Sequence, residues 1–328
     1  MSVEVARAPA NASEPDLSIC IVSYRCRDSL LACLAAYGAG RSELRAETLV
    51  VDNGSGDGTV EAVRARFPDV DVTAFDTNRG FAFAANRALA RARGRFVLLL
   101  NPDVRVSAET LAAAAAALDE HPAWGVLGIR LRYPDGQVQG TCGHFPDTFA
   151  VLARSLGIQN LLLRCTAFAA RENLAYFCFP SDVHEVDGML GAFLLVRREV
   201  LARVGLLDEG YFLYGEDIDW CRRARGLGVR IVHHPGLEAV HAQGTSAARV
   251  PLRSLRHFHA SAVRYHRLHE RSTLPRWVRP IARASLSVRY ALALVKHALG
   301  WRPAHRVYLE LRPARAAGHH RAISGDSR

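Results

Sequence analysis

The sequence predicts an α/β fold with a parallel sheet at its centre, and three observations carry that reading. Short apolar runs alternate with helix-length stretches across residues 1–130, and Gly- and Pro-rich punctuation separates them. Strands spaced by helices in this way are joined by right-handed crossovers, so they run parallel. The 328 residues are 49% hydrophobic and 23% charged, ordinary globular usage that excludes wholesale disorder and a collagen-like fibre. The length suits one large α/β domain or two smaller ones.

The elements follow in order. Leu17–Ser23 is an apolar strand run, followed by a helical pattern from Asp28 to Tyr37 that ends at Gly38. Thr48–Asp52 is a second strand, closed by the turn formers Asn53-Gly-Ser-Gly-Asp-Gly58. A helix over Thr59–Phe67 stops at Pro68, and Val70–Phe75 reads as a strand. Phe81–Ala92 is helical, Phe96–Leu100 a buried strand, and Ser107–Asp119 an Ala-rich helix. Tyr133-Pro-Asp-Gly136 is a hairpin turn, whereas residues 140–183 hold few periods and read as a long functional loop. Val186–Val196 reads as one buried strand, Arg198–Val204 and Glu216–Arg225 as helices, and Val229–His233 as a strand. Beyond Pro251 come Arg- and His-rich helices, with breaks expected at Pro275, Pro280 and Pro303.

Charge divides the chain. Lys and Arg number 42 against 32 Asp and Glu, yet residues 251–328 carry +13 and residues 1–250 carry −3. The expected organisation is a disordered N-terminus over 1–15, an α/β domain over 16–250, a basic helical extension over 251–312 and a disordered tail over 313–328. The seven cysteines are scattered, with no C-x-x-C pair, so neither a zinc ribbon nor a disulfide framework is supported. They are expected as plain thiols of a reducing cytoplasm. No segment has the pattern of a signal peptide or a transmembrane helix. The expected location is cytoplasmic, at most peripheral on a membrane.

In parallel sheets the ligand lies beyond the carboxyl ends of the strands, which directs attention to Ser23, Asp52 and Asn101-Pro-Asp103. Asp52 opens a Gly-rich loop, where an acid can accept hydrogen bonds from a nucleobase or ribose. The glycine spacing is neither a dinucleotide fingerprint nor a P-loop, and the same residues also serve as simple turn formers. Asp103, fixed after a strand by Pro102, could hold Mg²⁺ or Mn²⁺ against a diphosphate, or merely cap a turn. Tyr211-Phe-Leu-Tyr-Gly-Glu-Asp-Ile-Asp-Trp220 puts Glu216, Asp217 and Asp219 in a first helical turn, where the helix dipole favours ionised carboxylates and a general base. Acids are also common in first turns for structural reasons. Tyr211, Phe212, Tyr214 and Trp220 offer flat faces for a sugar. His241 could ligate a metal or touch phosphate, or be structural.

Seven motifs then fall in one order: Ile21-Val-Ser-Tyr24; Val51-Asp-Asn-Gly-Ser55 with Asp57-Gly-Thr59; Asn78-Arg-Gly-Phe81 with Asn86; Leu100-Asn-Pro-Asp103; Asp187-Gly188; Gly215-Glu-Asp217; and His241-x-x-Gly-x-Ser246. Together, over residues 16–246, they resemble the family 2 glycosyltransferases with a GT-A fold, a Rossmann-like nucleotide-diphospho-sugar transferase domain. The similarity is greatest to the bacterial rhamnosyltransferase-like branch. The resemblance implies a nucleotide-sugar donor, a divalent metal (Mg²⁺ or Mn²⁺) and inverting transfer to an acceptor hydroxyl. It implies that Ser23 and Asp52 line the nucleoside pocket and that Asn78 and Arg79 lie near the donor. Asp103 would be the metal carboxylate at the last position of D-x-D, and His241 would reach the metal or diphosphate. Asp217 would be the general base with Glu216 beside it, while Asn101, Asp187, Gly188 and Trp220 belong to the substrate-binding set. Asn101 departs from the pattern, because the first D-x-D position here carries no charge. Strict metal dependence is therefore not implied.

The basic extension admits two readings. From Ile281 to Trp301 apolar residues share a helix with Arg283, Arg289 and Lys296, the pattern of an interfacial helix on anionic lipid. The same pattern suits a helical subdomain packed on the core. The resemblance favours the membrane, since many relatives use polyprenyl-diphosphate-linked acceptors; it also implies a glycan or lipid-linked acceptor and no nucleic-acid partner. Three readings stay open beside a dTDP-L-rhamnose donor: a galactofuranosyl or other hexosyl transfer, a non-catalytic scaffold, and a nucleic-acid-binding protein whose tail tracks phosphates.

Overall fold

The computed structural model describes residues 14–38, 44–164, 177–242, 251–269 and 276–299. The expected N-terminal and C-terminal disorder, and the breaks at Pro275 and Pro303, lie outside these residues.

Four parallel strands form the first half of the main sheet: β1 (Leu17–Ser23), β2 (Ala46–Asp52), β3 (Asp71–Ala74) and β4 (Phe96–Leu100), in the spatial order β3-β2-β1-β4. They are joined through helices α1 (Arg27–Gly38), α2 (Thr59–Arg66) and α3 (Phe81–Leu89). Both faces of β1 and β4 are buried, which is why these strands are continuous apolar runs. A short strand β5 (Val104–Arg105) and helix α4 (Ala108–Glu120) follow, the helix capped by the Ser107 hydroxyl, which accepts from the Thr110 amide.

The second half of the sheet departs from the sequence reading. It is mixed rather than wholly parallel. Strand β6 (Trp124–Arg132), which no motif had marked, lies beside the antiparallel strand β11 (Phe193–Arg197), and β11 pairs with β4. The single strand expected over 186–196 is three pieces: β9 (His184–Val186), β10 (Gly188–Met189) and β11. Asp187 and the turn at Leu190–Ala192 interrupt it, and β10 joins a separate three-stranded sheet with β7 (Cys142–Gly143) and β8 (Phe177–Cys178). The stretch read as a loop over 140–183 also contains α5 (Thr148–Ser155), capped by Asp147, and α6 (Gln159–Arg164).

Helices α7 (Arg198–Val204) and α8 (Glu216–Gly226) stand where the pattern placed them. Strand β12 (Arg230–His241) runs past the expected end at His233, because an irregularity between His234 and Glu238 absorbs Pro235 and Gly236. The strand therefore delivers His241 to the sheet's edge against β5. The basic extension forms α9 (Pro251–His269) and α10 (Val278–Ala298). Pro280 does not break α10. It occupies the first turn, where its missing N–H is not needed.

Candidate active site

The site is assembled where β4, β5, β12 and the turn before α8 converge. Asn101 leaves β4 with its amide donating to the Ala192 carbonyl at 3.0 Å. The neighbouring Gly191 amide donates to Asp217 Oδ2 at 2.7 Å, and Asp217 Oδ1 accepts from the Ile218 amide at 2.8 Å. A single peptide between Gly191 and Ala192 thus joins the Asn101-Pro-Asp103 segment to the candidate base.

Burial sets the charge of the acidic pair. Asp217 is pushed above the ordinary carboxylate range by desolvation, which its backbone hydrogen bonds oppose. Glu216 is pushed well above that range by desolvation and then by the charge of Asp217, and its Oε2 is buried without a hydrogen-bond partner. The pair carries one charge more readily than two. That leaves Asp217, the better hydrogen-bonded carboxylate, to hold it. Asp219, the third acid, behaves differently. Burial alone would raise it, but hydrogen bonds from His269 and Arg223 hold it below the usual range.

At the other end of the site, Asp103 and His241 meet. Asp103 Oδ1 lies 3.2 Å from His241 Nε2, both side chains are nearly buried, and the Ala242 amide donates to the Asp103 carbonyl. Gln139 fixes the imidazole. Its Nε2 donates to the His241 carbonyl at 2.8 Å, so its Oε1 accepts from Nδ1–H, also at 2.8 Å. This tautomer turns the Nε2 position toward a carboxylate, an arrangement that calls for a proton or a cation between them.

The Gly-rich loop is organised by Asn53, which the sequence reading quoted as a turn former and within a motif but gave no role. Buried Asn53 donates from Nδ2 to Asn78 Oδ1 and the Gly80 carbonyl, and its Oδ1 accepts from the Arg79 amide. Gly54 has φ +79°, and a Cβ there would stand 2.7 Å from the Thr77 carbonyl carbon, so only glycine permits the two loops to touch. Arg79 is exposed, with its guanidinium 3.9 Å from the Phe83 ring centroid. Asp52 is buried, and both its oxygens accept from Ser55, at 2.5 Å from the hydroxyl and 2.9 Å from the amide. Ser23 is fully buried, with its hydroxyl 3.5 Å from Cys26 Sγ. Ser23 and Asp52 thus stand buried at the carboxyl ends of β1 and β2, with Asp52 bonded into the Gly-rich loop through Ser55. Asn86 brackets Leu207, accepting from its amide and donating to its carbonyl.

Trp220 corrects the sequence reading. It is 1% exposed, lies in the core between the sheet and α8, and donates its indole N–H to the Gly205 carbonyl at 2.7 Å. Tyr211 is equally buried, and Phe212 stacks on His257, so neither Trp220 nor Tyr211 presents a face to a sugar. The turn into α8 passes through left-handed backbone at Tyr214, φ +69°, and Gly215, φ +85°. Gly188 sits in β10 against Phe145, and Asp187 lies beside His144. Burial opposes ionisation of Asp187, but hydrogen bonds from His144 and the Phe145 amide hold it below the usual range.

Helix α9 is bonded to this same segment. Arg264 makes a two-pronged contact with Asp208, and Ser261 donates to the Leu213 carbonyl. Arg222 donates to Tyr265, and His269 Nε2 lies 2.5 Å from Asp219 Oδ1. No local motif could have announced these partners, nor Gln139, which meets His241 across 102 positions.

Comparison with known proteins bears on the family and the fold. The sequence profile of "Glycosyl transferase family 2" matches residues 18–176. An N-acetylglucosaminyl-diphospho-decaprenol L-rhamnosyltransferase of Mycobacterium tuberculosis is 31% identical over 232 residues, covering 67% of this chain and 74% of that protein. A low-salt glycan biosynthesis hexosyltransferase, Agl10, of Haloferax volcanii is 24% identical over 240 residues, covering 71% and 69%. The solved structure of a Pyrobaculum calidifontis mannosyltransferase with GDP-Man and Mn²⁺ superimposes with a TM-score of 0.51 at 20% identity, covering 92% of this chain and 85% of that one. It shares the GT-A fold. By its profile match and its likeness to the mycobacterial enzyme, this chain is a glycosyltransferase and belongs to glycosyl transferase family 2.

Proposed function

We propose that the chain is an inverting rhamnosyltransferase. It moves L-rhamnose from dTDP-L-rhamnose to a polyprenyl-diphosphate-linked glycan acceptor in cell-surface polysaccharide synthesis. The observation that carries the reading is the Gly191–Ala192 junction, which ties Asp217 to the segment leading to Asp103. The name of the mycobacterial relative supports both the sugar and the lipid-linked acceptor.

Asp217 takes the proton of the acceptor hydroxyl as that oxygen attacks the anomeric carbon opposite the leaving diphosphate. One displacement needs one base and no enzymic nucleophile. Glu216, held neutral, leaves Asp217 without a second charge to oppose its ionisation. Arg79 reaches the diphosphate side of the Gly-rich loop. Asp103 and His241 fit a divalent cation, since a carboxylate oxygen and an imidazole nitrogen face one another, the latter fixed by Gln139. Among the described residues no third His, Cys, Asp or Glu joins them, so diphosphate and water oxygens would complete the shell. A bound Mg²⁺ or Mn²⁺ would neutralise charge on the leaving group.

The membrane is the proposed location of the acceptor. On α10, Ala282 and Leu286 are buried, whereas Ile281, Val288, Leu292 and Val295, with flanking Trp277 and Leu299, form an exposed apolar stripe. Residues 251–269 and 276–299 contain no carboxylate and nine Lys or Arg residues. An apolar stripe with basic flanks complements an anionic bilayer; tracking nucleic-acid phosphates needs no such stripe. Among the described residues no helix is long and apolar enough to cross a membrane.

The test is transfer to N-acetylglucosaminyl-diphospho-polyprenol with dTDP-L-rhamnose, UDP-galactofuranose or GDP-mannose as sole donor. A product from dTDP-L-rhamnose alone is expected. A product from either other donor instead would overturn the sugar assignment.

A further inference from the structure

A pair of thiols stands outside the proposed chemistry yet beside it. Cys142 of β7 and Cys178 of β8 are directly opposed in an antiparallel pair, with their sulfurs 3.4 Å apart. Opposed residues of such strands have Cα atoms about 4.5–5.5 Å apart, inside the span a disulfide bridges. Cys142 is buried, while Cys178 is partly exposed. The other described cysteines (Cys20, Cys26, Cys33 and Cys221) are all buried. The two sulfurs share a hydrogen bond that either can donate; that bond and nearby His144 outweigh burial and lower Cys178, while the same bond and burial raise Cys142. The accessible thiol is therefore also the better nucleophile.

The opposite edge of β7 leads to the base. Cys142 pairs with Met189 of β10, and the Leu190 amide donates to the Thr141 carbonyl at 2.8 Å. The next residue is Gly191, whose amide holds Asp217. A covalent tie between β7 and β8 thus acts on a sheet whose third strand runs into the catalytic hydrogen bond.

We propose that Cys142 and Cys178 form a reversible disulfide that restrains this sheet and slows glycosyl transfer. The reaction is exchange with a small-molecule disulfide. The Cys178 thiolate attacks one sulfur of the oxidant, breaking its S–S bond and expelling one thiolate. Cys142 gives up its proton and attacks the Cys178 sulfur of the mixed disulfide, expelling the second. The two cysteines lose two electrons and two protons, and the oxidant becomes two thiols. The bond itself rests on thiol geometry alone; its effect on transfer also rests on Asp217 as the base.

The experiment equilibrates the full chain in graded ratios of oxidised to reduced glutathione. Free thiols are then alkylated, disulfides mapped by peptide mass spectrometry, and both transfer and dTDP binding measured. The expected result is one dominant Cys142–Cys178 bridge, a several-fold fall in transfer reversed by dithiothreitol, and unchanged dTDP binding. Cys178→Ser and Cys142→Ala should each transfer at the reduced wild-type rate and be insensitive to the redox ratio. Uniform alkylation of Cys142 and Cys178 across the series, or bridges among other cysteines, would overturn the site. A mapped bridge with undiminished transfer would overturn its regulatory effect. Absence of transfer in the fully reduced protein would instead count against the proposed function, while the mapping still judged the bridge.

Discussion

The Gly191 amide donates to Asp217 Oδ2 at 2.7 Å, and the adjoining Ala192 carbonyl accepts from Asn101. The proposed base and the Asn101-Pro-Asp103 segment are therefore both held by one turn between β10 and β11. Neither end can shift without disturbing a hydrogen bond at the other.

Asp217→Asn removes the base while keeping the shape and one hydrogen-bond acceptor. Transfer should fall by at least ~100-fold with donor binding retained, as expected for loss of general-base catalysis. In the wild type the acid limb of the rate profile should lie above the ordinary carboxylate range, because burial raises Asp217. Steady-state rates across pH check both.

Glu216 makes a prediction about stability. Its folded value is raised, so above the ordinary carboxylate range the folded chain binds more protons than the unfolded chain. Stability contributed by the protonated group is then lost as pH rises. Glu216→Gln should raise the melting temperature relative to wild type at neutral pH, and the gap should close toward acid pH. Melting curves of the two proteins across pH test this.

Gln139→Leu should leave the fold intact but free the His241 ring. Loss of such an outer partner typically weakens metal affinity by ~10–100-fold. Mn²⁺ titration of the donor-bound protein provides the measurement.

Trp220→Phe should cost about 1 kcal/mol, for the lost hydrogen bond to Gly205, and Trp220→Ala ~3–5 kcal/mol. Neither should selectively raise KM for donor or acceptor, as loss of a sugar platform would. Denaturant unfolding and steady-state kinetics separate the two roles.

Replacing exposed Val288 and Leu292 together by Asp should abolish sedimentation with vesicles containing anionic lipid. Transfer to a short-chain, water-soluble acceptor should persist. Equal sedimentation of the variant and wild type would remove α10 from the membrane contact.

Much of this was legible in the sequence, for identifiable reasons. Elements with local determinants read true: β4, α7 and the start of α8 follow from an apolar run, a helical period and a Gly-led first turn. Asp103 and Asp217 could be singled out because each stands at the end or start of an element legible in the sequence, whereas His241 was singled out by its motif, the end of β12 having been placed at His233. The mixed half of the sheet was not legible, since β6 and β11 obtain their pairing from distant strands. Trp220 misled because an aromatic beside a cluster of acids looks the same in sequence whether it faces a ligand or the core. Asn53 stands in a recognisable motif and Gln139 in none, but for both only the fold supplies their partners.

The most direct test of the donor site is a thermal-shift series on the full chain. It uses dTDP-, UDP- and GDP-sugars, each with and without Mn²⁺, on wild type, Asp103→Ala and Asp217→Asn. Mass action predicts stabilisation by dTDP-L-rhamnose that Mn²⁺ increases. Asp103→Ala should lose that increase, and Asp217→Asn should keep it. No shift with any nucleotide sugar at saturation, or a full Mn²⁺ response in Asp103→Ala, would contradict the account.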